Sequence, residues 1–241
     1  MDVTLRIRRF NPETDEKPWW GQYNLTDVDP TSQVLDLLHR VKWEQDGTLT
    51  LRRSCAHGIC GSDAMLINGV NRLACKVLVR DLIKGQSGVI QIAPIMGLPV
   101  VKDLVVDMEP FFEKNRDIQP WLQPTKPAPE RERLVDPTQW AEAEPYTNCI
   151  LCASCYGVCP AAARDPEYLG PAALAKHYRF LADVRDVADD KRMALVDSEQ
   201  GVWGCDMVWS CVEVCPKGVP PTQGIGKTRA RIRRAQRARN K

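Results

Sequence analysis

No apolar run in this chain approaches the roughly 20 residues that a membrane-spanning helix needs, so a transmembrane anchor is not expected within it. Histidine is scarce, with three in 241 residues, which argues against a metal site built from imidazoles. No G-x-G-x-x-G, Walker-type loop or C-x-x-C-H is present, so dinucleotide, nucleoside triphosphate and covalent haem sites are not evident. The N-terminus, MDVTLRIRRF, lacks the apolar core of a secretory signal and the Ser/Arg-rich character of a transit peptide. These absences lead to an expectation of a reducing, bacterial cytosolic setting, where disulfides are rare.

Against that background, ten cysteines are many. In such a compartment grouped thiols bind metal or carry out redox work more often than they cross-link. The remaining composition is that of an ordinary soluble globular protein, with 44% hydrophobic and 27% charged residues. The length accommodates two domains, each able to bury a core. Charge is unevenly placed. The net +2 arises from 33 basic and 31 acidic residues. Lys227 to Lys241 holds eight of the basic residues and no acid, leaving 25 basic against 31 acidic elsewhere. Such a tail suits an anionic surface, or is simply a solvated helix end.

Residues 1–105 read as a small β-rich domain. Val3, Leu5 and Ile7 alternate with Thr4, Arg6 and Arg8, the period of a half-buried strand. A second strand is predicted over Tyr23 to Val28. Pro30-Thr31-Ser32 then offers a start for a helix with Val34, Leu35, Leu37, Leu38 and Val41 on its apolar face. Ala64 to Ile67 and Val70 to Ala74 flank Asn68-Gly69, a strong hairpin signal, and Gly88 to Ile92 completes the strands. The fold class is therefore α+β, with an N-terminal β-grasp, ferredoxin-like domain. Residues 106–145 form a connector. Its stretch from Gln119 to Pro145, with Pro120, Pro124, Pro127, Pro129, Pro137 and Pro145, predicts an extended linker or strap. Residues 146–241 read as a helical, bacterial-ferredoxin-like domain. One helix starts at Pro171 with Leu174, Tyr178 and Leu181 on one face, and a last helix starts near Pro221. His39 and His177 fall in predicted helices as surface or packed residues.

The cysteines form three groups. The run Cys149, Cys152, Cys155, Cys159-Pro160 is the C-x2-C-x2-C-x3-C-P of bacterial ferredoxins. Three closely spaced thiolates hold one cluster, while the fourth ligates the other. A zinc knot is the competing reading, although zinc sites usually pair two C-x2-C units. The second group repeats the first at the same offsets as Cys205, Val208, Cys211 and Cys215-Pro216, with one cysteine replaced by Val208. By the crossover rule, Cys149, Cys152, Cys155 and Cys215 hold a [4Fe–4S] cluster. Cys159, Cys205 and Cys211 are left as three ligands, which suits a [3Fe–4S] cluster. A labile fourth iron carrying water is the alternative. The N-terminal group is Cys55-x4-Cys60-x2-Asp63 followed by Cys75. Plant-type [2Fe–2S] ferredoxins have cysteine at the third position. Asp63 stands there, and is either a carboxylate ligand or a loop residue beside a three-thiolate site. His57 lies in this loop, but ligation by it would break the spacing. Without a nucleotide or flavin motif, electrons enter from and leave to other molecules.

Across nearly its whole length the chain resembles the iron–sulfur subunit of succinate dehydrogenase and fumarate reductase. The resemblance is most specific at Ser54 to Lys76, Cys149 to Pro160, Gly170-Pro171-Ala172-Ala173 and Cys205 to Gly218. Family members with aspartate at the third [2Fe–2S] position exist, which supports Asp63 as a ligand. The resemblance implies a subunit of an oxidoreductase complex, with no complete active site of its own. Electrons would pass from an FAD-containing flavoprotein that oxidises succinate, through [2Fe–2S], [4Fe–4S] and [3Fe–4S], to a membrane quinone. The opposite direction, from quinol to fumarate, is the alternative. The implied partners are the flavoprotein and a membrane anchor, often with haem b, and no nucleic acid. The implied location is the cytoplasmic face of the bacterial membrane, held peripherally by the anchor. One departure concerns the quinone. Ubiquinone-linked relatives carry a tryptophan shortly after the first Cys-Pro and a histidine after the first cysteine of the second motif. Here Ala162, Ala163 and Arg164 occupy the first region and Asp206 the second. Pro160, Arg164, Val208 and Trp209 are the candidate quinone contacts, with menaquinone or ubiquinone as the ligand.

Overall fold

The computed structural model describes residues 1–124 and 127–240. Lys241, the end of the basic tail, and 125–126 within the proline-rich stretch lie outside the described residues. The chain divides into two compact units. One comprises Met1–Met108 with Ile150–Gly157, and the other comprises Glu109–Cys149 with Val158–Lys241.

In the first unit the alternation of the N-terminus becomes strand β1 (Asp2–Arg9), with Val3, Leu5 and Ile7 fully buried. It pairs antiparallel with β2 (Trp19–Leu25) and parallel with β5 (Ser87–Pro94). β3 (Ala64–Ile67) joins the other side of β5 and folds back on β4 (Val70–Leu73), giving the order β2-β1-β5-β3-β4. The hairpin turns on Asn68 and Gly69 at φ 48° and 80°, the left-handed pair that a two-residue turn demands. Helix α1 (Val34–Arg40) buries Val34, Leu35, Leu37 and Leu38 in the core of this unit, together with Val41 beyond it. Its cap is Gln33, one residue beyond the Pro30-Thr31-Ser32 start. Asp36 Oδ2 accepts the Gln33 amide at 3.0 Å, closing a capping box. A short turn of π-helix, Val41–Gln45, follows. A one-turn helix α2 (Val79–Leu82) and the hairpin β6 (Val100–Lys102) and β7 (Val105–Val106) complete the unit. This mixed sheet with a packed helix is the expected β-grasp arrangement.

The second unit is helical. It contains α3 (Glu109–Asp117) and α4 (Pro137–Thr147). The one-turn helix α5 (Ser154–Gly157) belongs to the first unit. Then follow α6 (Pro160–Arg164), α7 (Gly170–Leu181), α8 (Asp189–Val196), α9 (Ser210–Glu213) and α10 (Pro221–Arg239). The expectation of extended chain as far as Pro145 is corrected by α4. Asp136 Oδ1 accepts the Thr138 amide at 2.8 Å and Pro137 sits at the first helical position, so a strong N-terminal signal overrides Pro145 inside the helix. Upstream of α4, a buried ion pair fastens residues 119–123. Arg192, fully buried, donates Nε to Asp186 Oδ1 at 2.9 Å, and its Nη1 and Nη2 to the carbonyls of Gln119 and Trp121 at 3.2 and 2.7 Å. Asp186 Oδ2 also accepts the Gln123 amide at 2.8 Å, and buried His177 donates Nε2–H to the Arg192 carbonyl at 2.9 Å.

Burial alone would raise the Asp186 carboxyl, but these hydrogen bonds and the Arg192 charge bring it below its ordinary value of 3.8. Its stabilising contribution is therefore complete above about pH 3.8 and is lost as the pH falls through the lower folded value. Arg192→Ala strands Asp186 in the core. The expected loss in unfolding free energy is about 3–5 kcal/mol, read by denaturation of the cluster-loaded protein at pH 7. A change near zero would show that the pair does not fasten the connector.

Candidate iron–sulfur centres

The first cysteine group lies on a loop of the first unit, between α1 and β3. Its backbone turns left-handed at Ala56, Gly58 and Gly61, with φ of 57°, 81° and 71°, and so points successive amides at one sulfur. Cys55 Sγ accepts the N–H groups of His57, Ile59 and Cys60 at 3.5, 3.3 and 3.3 Å. These donors bring its thiol down to about 6, favouring the thiolate that binds metal. Cys75 follows β4 and is fully buried. Burial and the adjacent Asp63 push its thiol up to about 12.

Asp63 is 2% exposed. Its Oδ2 accepts the Cys75 amide at 2.6 Å, while its Oδ1 is buried without a partner. A bare carboxylate oxygen beside a buried thiol is costly unless a cation lies between them. The donor set thus fits a cationic iron centre, and Asp63 is not an exposed loop residue. Cys60 is exposed, with Sγ 3.1 Å from Ser62 Oγ.

The first unit also carries Ile150–Gly157, with Cys152 and Cys155. Asn71 Nδ2 donates to the Ser154 carbonyl at 3.2 Å, and Ile150 and Cys152 pack against this unit's core. The loop runs so close to the first cysteine loop that a Cβ on Gly61 would stand 2.8 Å from Cys152 Cβ. Glycine at 61 is therefore required twice, for its φ and for this approach. Cys149 and Cys215 belong to the second unit, where both pack against the cluster of Ala143, Tyr146, Tyr178 and Leu181.

Within the second unit Cys159, Cys205 and Cys211 line one cavity. Among the described residues, no three His, Cys, Asp or Glu side chains gather tightly enough to hold a single metal ion. Thiols spread around a cavity fit a polynuclear cluster. Protein donors already reach each sulfur. The Ala161 and Ala162 amides serve Cys159, the Met207 amide serves Cys205 at 3.4 Å, and the Thr222 hydroxyl lies 3.1 Å from Cys211 Sγ.

The internal repeat extends to the backbone. Leu151 and Ala153, two and four residues after Cys149, have φ of 54° and 61°. Met207 and Trp209, at the same offsets from Cys205, have 57° and 67°. One-turn helices then begin at Ser154 and Ser210, again at equal offsets. Val208 thus stands where Cys152 stands, and it lines the cavity.

Of the candidate quinone contacts, Pro160, Val208 and Trp209 line this cavity, and Val208 and Trp209 are exposed. Arg164 does not line it. Its guanidinium grips Asp206 through two 3.0 Å hydrogen bonds, so it bears on the cavity only through Asp206.

Two functional residues were invisible in the sequence pattern. Arg229, read there as tail charge, donates to the carbonyls of Val202 and Cys205 at 2.8 Å and of Trp203 at 3.2 Å, fixing the approach to Cys205. Arg231 likewise donates to the Leu181 carbonyl at 2.7 Å. The start of the tail is thus structural, while Arg233, Arg234 and Arg237 remain exposed. The second missed residue is Tyr168, whose ring lines the cavity. Among the described residues no helix is long and apolar enough to cross a membrane.

Comparison with known proteins agrees with this geometry. Residues 4–113 match the 2Fe-2S iron-sulfur cluster binding domain, and residues 145–219 match the 4Fe-4S dicluster domain. The succinate dehydrogenase iron-sulfur subunit of Coxiella burnetii is 38% identical, covering 95% of this chain and 97% of that protein. The fumarate reductase iron-sulfur subunit of Haemophilus influenzae is 37% identical over 93% and 91%. A chain of the Mycobacterium smegmatis Sdh1 complex superposes with a TM-score of 0.86 at 28% identity, covering 96% of this chain and 95% of that one. With a [2Fe–2S] domain followed by a dicluster domain, and identity sustained from end to end, the chain belongs to the family of succinate dehydrogenase and fumarate reductase iron–sulfur subunits.

Proposed function

We propose that this electron-transfer subunit conducts electrons through three centres, in the order [2Fe–2S], [4Fe–4S], [3Fe–4S], from a flavoprotein that oxidises succinate to a quinone in the membrane. The observation that carries the order is the approach of the Gly61 backbone to Cys152, which brings two cysteine loops together inside one compact unit. The ligands are Cys55, Cys60, Asp63 and Cys75 for the first centre. Cys149, Cys152, Cys155 and Cys215 serve the second, and Cys159, Cys205 and Cys211 the third. Bound clusters supply reversible one-electron transfer. The chain contributes thiols, amide donors that steady their negative charge, and a scaffold that keeps the loops close.

The partners on this reading are the FAD-containing flavoprotein and a membrane anchor, in keeping with relatives that are subunits of succinate dehydrogenase and fumarate reductase. The anchor, of a kind that often carries haem b, holds the subunit peripherally on the cytoplasmic face of the membrane. The quinone meets Pro160, Val208 and Trp209, beside the third centre. The reverse flow, from quinol to fumarate, is the second reading, favoured by the nearly equal identity to a fumarate reductase subunit.

Substitutions at two positions test the ligand sets. Asp63→Cys should retain a [2Fe–2S] centre with a shifted midpoint potential, because a softer thiolate replaces a carboxylate. Asp63→Ala should lose iron from that centre on gel filtration. Spectra and potential unchanged in both variants would remove Asp63 from the ligand set.

Val208→Cys supplies the thiolate that the repeat lacks. The oxidised EPR signal of a [3Fe–4S] centre, expected in the wild type, should vanish and a reduced [4Fe–4S] signal should replace it, with a lower potential. A wild type without the oxidised signal would refute the assignment of Cys159, Cys205 and Cys211, and an iron and sulfide analysis of the same sample excludes or establishes zinc.

A further inference from the structure

Tyr168 is 1% exposed, and its buried hydroxyl closes no hydrogen bond of ordinary length, although the Cys205 sulfur lies near enough to interact with it. Evolution seldom leaves a buried O–H unsatisfied, because its desolvation goes uncompensated. Phenylalanine would fill the same space without that cost. The ring is held firmly. It belongs to the core with Ala161, Leu174, Val196 and Ile225, and a Cβ on Gly204 would stand 3.2 Å from Tyr168 Cδ2. Its backbone is fixed as well, with the amide donating to the Asp165 carbonyl at 3.1 Å and the carbonyl accepting Lys114 Nζ at 3.0 Å.

The side chain is therefore committed to the cavity that Cys159, Cys205 and Cys211 line. Each of these sulfurs already has a donor of its own, in the Ala161 and Ala162 amides, the Met207 amide and the Thr222 hydroxyl. The phenol is a further donor, and the sulfur it interacts with is that of Cys205.

We infer that the Tyr168 hydroxyl donates a hydrogen bond to a sulfur of the cluster held by Cys159, Cys205 and Cys211, and thereby raises the reduction potential of that centre. The inference rests on the ligand set proposed above. Its physics is differential. A cluster gains negative charge on reduction, and a hydrogen bond to its sulfur strengthens with that charge, so the reduced form is favoured. A raised potential makes the last centre a better acceptor from the one before it. Tyr168 acts here as a tuning residue, since it reaches the electron only through the cluster.

The test is a potentiometric titration of the assembled complex, followed by EPR of the oxidised [3Fe–4S] signal. In Tyr168→Phe the signal should persist while the one-electron equilibrium moves about tenfold toward the oxidised form, a fall of about 59 mV. The other two centres should keep their potentials. A 3-fluorotyrosine at the same position, a more acidic and stronger donor of nearly the same shape, should shift the third centre upward. An unmoved third centre in either protein overturns the inference, as does a fall shared by all three centres. Absence of the oxidised signal from the wild type would defeat the ligand set itself, which is a distinguishable failure.

Discussion

A short loop that wraps an inorganic centre has to turn its sulfurs and its amide hydrogens toward the same point. For L-residues that geometry demands excursions into the left-handed region, which side chains disfavour. The chain makes these excursions where its cysteines lie. Ala56 follows Cys55, Leu151 and Ala153 bracket Cys152, and Met207 and Trp209 bracket Val208, all at positive φ without the licence of glycine. Most of the remaining architecture supplies the rigidity that keeps such strained loops in place.

That support is polar as well as apolar. In the first unit Arg9, 5% exposed, donates Nε to Asp103 Oδ1 at 2.9 Å, and Asp103 Oδ2 accepts the Thr50 amide at 2.8 Å, just upstream of the first cysteine loop. In the second unit Arg229 holds the turn entering Cys205, while Arg192 ties the connector to the α7–α8 region. Each arginine occupies several carbonyl or carboxylate oxygens at once, so truncating one leaves several buried groups without partners.

Around the three-thiol cavity, donors of different kinds converge on sulfur. Backbone amides lower the cost of negative charge and depend little on side-chain identity. Hydroxyls such as Thr222 and Tyr168 can be varied one residue at a time, which makes them the adjustable part of the environment. The exposed Val208 and Trp209 line the same cavity, which therefore reaches the surface beside them.

Much of this protein was legible in its sequence. The alternation of Val3, Leu5 and Ile7, the Asn68-Gly69 turn and the face of Val34, Leu35, Leu37 and Leu38 are local signals, because period and turn chemistry act over a few residues. The cysteine spacings are local too, and the repeat that pairs Val208 with Cys152 reappears in the backbone angles. The start of α4 at Pro137 was missed because proline count outweighed the Asp136 cap. Other features depend on residues far apart in the chain. The unpartnered oxygen of Asp63 acquires meaning only beside buried Cys75. Tyr168 belongs to no sequence motif, and its role depends on the cavity that the fold closes around it. Arg229 reads as tail charge, and Arg192 belongs to no motif, until carbonyls from residues 202–205 and 119–121 come within reach. Spacing alone picked out the candidate iron ligands, since a loop's reach is set by its length. Which groups tune those ligands was decided by tertiary structure, because a hydrogen bond needs its partners within about 3 Å of each other, a separation that no local pattern encodes.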